Sequence, residues 1–202
     1  MEQKEYRCVR KTKAAFENAL AELSKETPLN KITVKALCDK ADLSRNAFYF
    51  HYEDIYALIE DIENNMVNEV LAMLDEVKKL GFPDNALEAL KRLPDIFIEH
   101  KDVSIMLLNS SYSSSFTGRL NKIFSDFHFK YYNRFHHTES RVAYDFFYTF
   151  ISDGFNGMLR NYLRNPDSMS LERFKNMSCM LVKRLLVNEN PAIDFSFDFN
   201  KE

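Results

Sequence analysis

The chain has little to bend with: four glycines and five prolines in 202 residues. Sheet-rich folds need frequent turns, and turns draw on both residue types, so this scarcity argues for long helices with few corners. Tryptophan is absent, and the three cysteines, Cys8, Cys38 and Cys179, stand far apart. An odd, scattered set fits neither a zinc spacing nor a disulfide framework, which leaves buried, reduced thiols as the expectation. No run of about 18 apolar residues exists to cross a bilayer. The first residues are charged, not a secretory stretch. A soluble, cytoplasmic protein with no membrane partner is expected.

The marks of catalysis are missing too. Gly81, Gly118, Gly154 and Gly157 are too dispersed for a phosphate-cradling loop. There is no His-Glu-x-x-His and no serine on a nucleophile elbow. His128, His136 and His137 lie near Asp126 and Glu139, but ordinary surface or core histidines explain them better than a metal site. No enzyme, no metal and no cofactor are expected.

What the chain does have is apolar residues, 46% of the total, with 18 Phe and 10 Tyr among them. So much aromatic surface must fill a Phe-rich core, a pocket or an interface. The formal charge is -3, yet residues 1–50 hold ten Lys and Arg against seven Asp and Glu, which leaves -6 for the remainder. A basic end on an acidic body can orient on a phosphate backbone, although the asymmetry alone is weak evidence.

The spacing of apolar residues predicts an all-α chain of about nine helices. The first spans about 4–23, with Val9, Ala15, Phe16, Ala19, Leu20 and Leu23 at helical spacing. Thr33 is the expected N-cap of a second helix, Ser44 of a third and Asp54 of a fourth. Leu58, Ile62, Met66, Val70 and Leu74 recur every four residues along that fourth helix, which should reach about Lys79 before Gly81 and Pro83. Asn85-Ala86-Leu87-Glu88 fits a capping box. Pro94 should kink or split the fifth helix, and Asp102 should cap a short one through Leu108. Residues 109–118, with five serines, read as a polar loop. Further helices are expected at about 116–136, 139–164 and 171–187, then a tail in which Phe195, Phe197 and Phe199 alternate.

Residues 29–58 are the most informative stretch. Two short helical patterns flank a tight turn at Ala41-Asp42-Leu43, and the second opens on a capping Ser44 followed by Arg45 and Asn46. A helix entering a DNA groove needs a well-capped start and short polar residues near its tip. Arg45 can meet a phosphate or guanine O6/N7, and Asn46 an adenine edge or a phosphate.

The stretch resembles the TetR family of transcription regulators. The resemblance rests on Ala14-Ala15 with Leu20, Ile32-Thr33-Val34-Lys35-Ala36-Leu37, Ala41-Asp42-Leu43-Ser44, Ala47-Phe48-Tyr49-Phe50-His51-Tyr52 and Asp54 to Leu58. A looser likeness to one C-terminal class lies in Phe146-Phe147, Gly154, Gly157 and Tyr162-Leu163. It implies a three-helix helix-turn-helix domain over 1–53, joined by the fourth helix to a ligand-binding and dimerisation domain over 54–190, with a tail at 191–202. It implies that Tyr49 and His51 face DNA, and that Thr33, Lys35 and Lys31 hold the flanking backbone beside Ser44, Arg45 and Asn46. Phe48 and Tyr52 read as packing, while His51 could instead cap its helix and Lys35 could be simple solvated charge. Three departures stand out: Asp42 replaces the turn glycine, Ala47 replaces a threonine, and Ile55 beside Glu53 and Asp54 replaces a basic residue. Aspartate tolerates left-handed backbone, so the turn survives. Each lost phosphate contact weakens binding and lowers its salt slope by roughly one, so DNA binding should be modest or helped by a partner.

The helix at 139–164 is apolar on two faces, Val142, Phe146, Phe150 and Gly157 on one and Tyr144, Phe147, Ile151 and Phe155 on the other. Such a helix must be covered twice. The economical solution sends one side into the subunit core and the other into a two-fold partner. The expected dimer residues are Phe147, Gly154, Phe155, Gly157, Phe174, Leu181 and Leu185. The resemblance also implies a pocket in the body, with Phe97, Met106, Phe124, Phe127, Phe146 and Phe150 as its candidate lining for an apolar or aromatic small ligand; the alternative is that these residues are core.

Two functions remain: a homodimeric regulator, a repressor in most of the family, that binds a palindromic operator in double-stranded DNA and responds to a small ligand; or a co-regulator that acts mainly through protein contacts with little DNA affinity of its own.

Overall fold

The computed structural model describes residues 2–80, 86–109, 113–136 and 141–186, and all regular structure among them is helical. The order is α1 (Glu2–Ser24), a 3-10 turn (Leu29–Lys31), α2 (Val34–Ala41), α3 (Arg45–His51), α4 (Ile55–Lys79), α5 (Ala86–Glu99), α6 (Lys101–Asn109), α7 (Ser113–His136), α8 (Arg141–Arg164), a 3-10 turn (Pro166–Ser168) and α9 (Leu171–Leu186).

The helices α2, α3 and α4 each begin where a side-chain oxygen meets a first-turn amide. The Ala36 N–H donates to Thr33 Oγ1 at 3.2 Å, the Ala47 N–H to Ser44 Oγ at 3.1 Å, and the Ala57 N–H to Asp54 Oδ1 at 2.8 Å. Each cap satisfies an amide that the helix itself leaves unpaired. Between α2 and α3 the chain turns on Asp42, which sits in left-handed backbone at φ 53° and ψ 43°. The next amide, of Leu43, closes back onto Cys38 O at 3.0 Å and ends α2.

One core runs from the N-terminal helices into the body. Phe16 of α1 and Phe48 of α3 are fully buried and meet edge-to-face at 5.3 Å. Burying each ring contributes about 1.5–3 kcal/mol. The expected series Leu58, Ile62, Met66, Val70 and Leu74 lies inside along α4. That helix packs on α5, α1 packs on both α2 and α6, α6 on α7 and α8, and α5 on α9. The helix-turn-helix is therefore tied to the body through α1 as well as through α4.

Three local expectations are corrected. Of the two expectations for Pro94, a kink or a split, the split is excluded: α5 continues through it to Glu99. Asp102 is not a cap: α6 already starts at Lys101, and the Asp102 carboxylate pairs with Lys25 at 3.2 Å. The serine-rich segment is helical from Ser113, so the expected loop over 109–118 shrinks; serine is only mildly unfavourable in helices and is favoured at their starts. Gly81, Pro83, Asn85, His137, residues 110–112 and the tail lie outside the described residues.

Candidate nucleic-acid interface

On α3 the amino acids sort by angle. Phe48 is buried, and Ala47 and His51 are half-buried. Arg45, Asn46, Tyr49 and Phe50 are exposed and share the remaining arc of about 140°. Three polar side chains and one bare aromatic thus face solvent together. Ser44 and Thr33, also exposed, use their oxygens as caps, but each hydroxyl keeps its proton free to donate to an incoming phosphate oxygen. Lys31 and Lys35 are exposed on the preceding turn and helix, where they can flank a phosphate backbone.

His51 stands differently from its neighbours. It is half-buried, and burial together with the Lys13 ammonium lowers its pKa below the usual histidine range. Its ring lies edge-on to Phe50 at 5.0 Å.

Below α3 lies a polar knot that sequence reasoning did not find. Lys13 of α1 donates to Asp61 Oδ2 of α4 at 2.8 Å, the Tyr52 hydroxyl donates to the same oxygen at 2.8 Å, and the Lys13 ammonium lies 5.4 Å from the Tyr52 ring centroid. Burial alone would raise the Asp61 carboxyl; Lys13 and Tyr52 outweigh it and hold the group below its ordinary value. Burial and the Asp61 carboxylate push the Tyr52 phenol far above its usual range. Tyr52, read as packing, is buried, but its hydroxyl fixes three helices. No local pattern marks Asp61 as its partner nine residues on.

In the body, the candidate lining divides. Phe97 and Met106 are buried in the core, and Phe124 and Phe127 are half-buried against it. Phe146 and Phe150 do not point inward: they are 75% and 69% exposed. A cleft of about 620 Å³ lies between the end of α1 and α6, with Leu29, Ile105 and Met106 beside Lys25, Asp102 and Arg164 on its walls. Its lining is mixed, not aromatic.

The dimer candidates divide too. Phe155 and Phe174 belong to the subunit core, 8% and 1% exposed, and Phe174 stacks on Tyr162 at 4.4 Å. Neither is available to a partner. Phe147 is half-buried, Leu181 is exposed, and nothing beyond their own helix lies within 4 Å of a Cβ built on Gly154 or Gly157. The side chain of Leu185 lies outside the described set. The exposed face of α8 runs Val142, Phe146, Phe150 and Gly154, with Gly157 half-buried, and Met180 and Leu181 are exposed on α9. Among the described residues no group of three His, Cys, Asp or Glu could hold a metal ion, and no helix is long and apolar enough to cross a membrane.

Residues 84–184 match the profile of a TetR-class family described as a transcriptional regulator C-terminal region. The chain is 38% identical over 53 residues to the uncharacterised HTH-type transcriptional regulator YxbF of Bacillus subtilis strain 168; the match takes in 26% of this chain and 14% of that much longer protein. The structure is similar to that of a TetR transcriptional regulator from Streptococcus agalactiae, with TM-score 0.57 and 23% identity over 90% of this chain and 99% of the other. It is similar as well to a protein assigned to the TetR family from Syntrophomonas wolfei, with TM-score 0.69 and 12% identity over 90% and 98%. These likenesses are to regulators, not enzymes.

Proposed function

The chain belongs to the TetR family of transcriptional regulators, and on that footing we propose that it is a repressor that binds a palindromic operator as a homodimer and lets go when a small ligand occupies the body. The observation that carries this reading is the outward face of α3. A capped helix turns Arg45, Asn46 and Tyr49 to solvent while Phe48 anchors it from behind. Residues 1–53 would form the DNA-binding unit and 54–190 the sensing and dimerising one.

The exposed apolar strip Val142, Phe146 and Phe150 on α8 supports a two-fold partner, because contiguous exposed apolar surface marks an interaction site. For ligand response, the mixed cleft between α1 and α6 supports a small molecule wedged between the two units. Of the expected lining residues, Met106 is on the wall of this cleft. Shifting α4, which begins at the end of α3 and runs through the body, would change the separation of the two recognition helices.

The test is gel retardation of DNA upstream of the protein's own gene by the folded dimer. A shift at low salt that weakens as salt rises is expected. No shift at low salt with dimer present would contradict the proposal. The co-regulator reading draws on Glu53 and Asp54, exposed acids at the foot of α3 that repel phosphate. A stoichiometric protein partner, captured with no independent DNA affinity, would favour it.

A further inference from the structure

Phe50 is 80% exposed, more than any other large apolar side chain among the described residues. Among the described residues its ring neighbour is His51, edge-on at 5.0 Å, which props one side and leaves the ring largely bare. It sits on the same arc of α3 as Arg45, Asn46 and Tyr49. We infer that Phe50 reads sequence by packing its ring against the C5-methyl group of a thymine in the major groove. This rests on the DNA-binding reading of α3.

The chemistry favours this occupant. The thymine methyl is the one apolar group that a base pair offers in the major groove, and a phenylalanine ring has no hydrogen bond with which to read anything else there. Arg45, Asn46 and Tyr49 share its arc, and the adjacent helix carries Lys35 and Lys40, all exposed. That is a polar frame of mixed charge, since Asp42 and Glu53 are exposed as well, and it leaves the ring one apolar group to meet in the groove. The same contact offsets what the start of α4 lacks, since Ile55 there is buried and Glu53 is acidic.

The experiment begins with a duplex recovered by the full-length protein from a random-sequence pool. Each thymine is then replaced singly by deoxyuridine, which removes the methyl and leaves base pairing intact. One symmetry-related pair should weaken wild-type binding by about fourfold per half-site, the factor expected for burial of one methyl-sized group. Phe50→Ala should bind the thymine and deoxyuridine duplexes equally; circular dichroism checks that it stays folded, as its exposure predicts. If wild type binds the duplex but no thymine methyl matters, or if Phe50→Ala keeps the discrimination, the inference fails while DNA binding stands. If Phe50→Ala binds DNA as wild type does and instead loses a protein partner, Phe50 serves that partner and the inference fails. If wild type recovers no duplex at all, the DNA-binding reading itself has failed.

Discussion

Tyr52 donates its hydroxyl to Asp61 at 2.8 Å, on the very oxygen that Lys13 holds at 2.8 Å. The end of α3, the middle of α1 and the first turns of α4 therefore meet at one carboxylate. Tyr52→Phe removes one charge-assisted hydrogen bond without removing the ring, and should cost about 1–2 kcal/mol in chemical denaturation. The pH dependence has a definite sign. Asp61 has a lower pKa folded than unfolded, so its stabilisation is complete above the unfolded value and is lost as pH falls through the folded one. The gap between wild type and Tyr52→Phe should be widest near neutrality and shrink below about pH 4. Equal stability at all pH values would show that the knot contributes nothing.

Asp42 is the one residue other than glycine with positive φ among the described residues. Left-handed backbone disfavours a side chain with a Cβ, and aspartate only partly escapes that penalty. Asp42→Gly should raise stability by about 0.5–1 kcal/mol and, by removing an exposed negative charge beside α3, tighten DNA binding. Asp42→Val should lower stability by about 1 kcal/mol or more. Thermal unfolding of the pair checks the order; a valine variant as stable as the glycine one would contradict it.

The bare face of α8 offers a direct test of assembly. Phe150→Glu places a charge where Phe150 is 69% exposed in the single subunit, so the fold should survive. In a dimer the same charge would be buried unpaired, at a cost of several kcal/mol. Sedimentation should show a folded monomer with lost operator binding. A variant that remains dimeric would move the interface elsewhere.

The sequence announces what is local and withholds what is not. Thr33, Ser44 and Asp54 cap their helices as their positions before apolar runs suggest, because capping involves only the next three residues. The two apolar faces of α8 were legible, and the structure separates them: Tyr144, Ile151 and Phe155 go inside while Val142, Phe146 and Phe150 stay out. Which face turns inward depends on α6, α7 and α9, which helical periodicity does not contain. That is why Phe155 was expected at a dimer contact and Phe146 in a pocket. Pairings such as Tyr52 with Asp61 and Lys25 with Asp102 tie a residue just past one helix to another helix and leave no periodic trace. Phe50 was readable only as one member of the aromatic run; its exposure became visible once Phe48 fixed the rotation of α3.

The central proposal is that the outward face of α3 holds DNA, and the salt dependence of binding by wild type and Arg45→Ala tests it most directly. Affinity for the upstream duplex, measured over a range of salt concentrations, should fall linearly on logarithmic axes for wild type. Arg45→Ala should bind at least about tenfold more weakly. If Arg45 meets a phosphate, the slope should also be shallower by roughly one; if it meets a guanine, the loss should be confined to the preferred sequence. Wild-type binding that is absent, or that is unchanged by both salt and Arg45→Ala, would contradict the proposal.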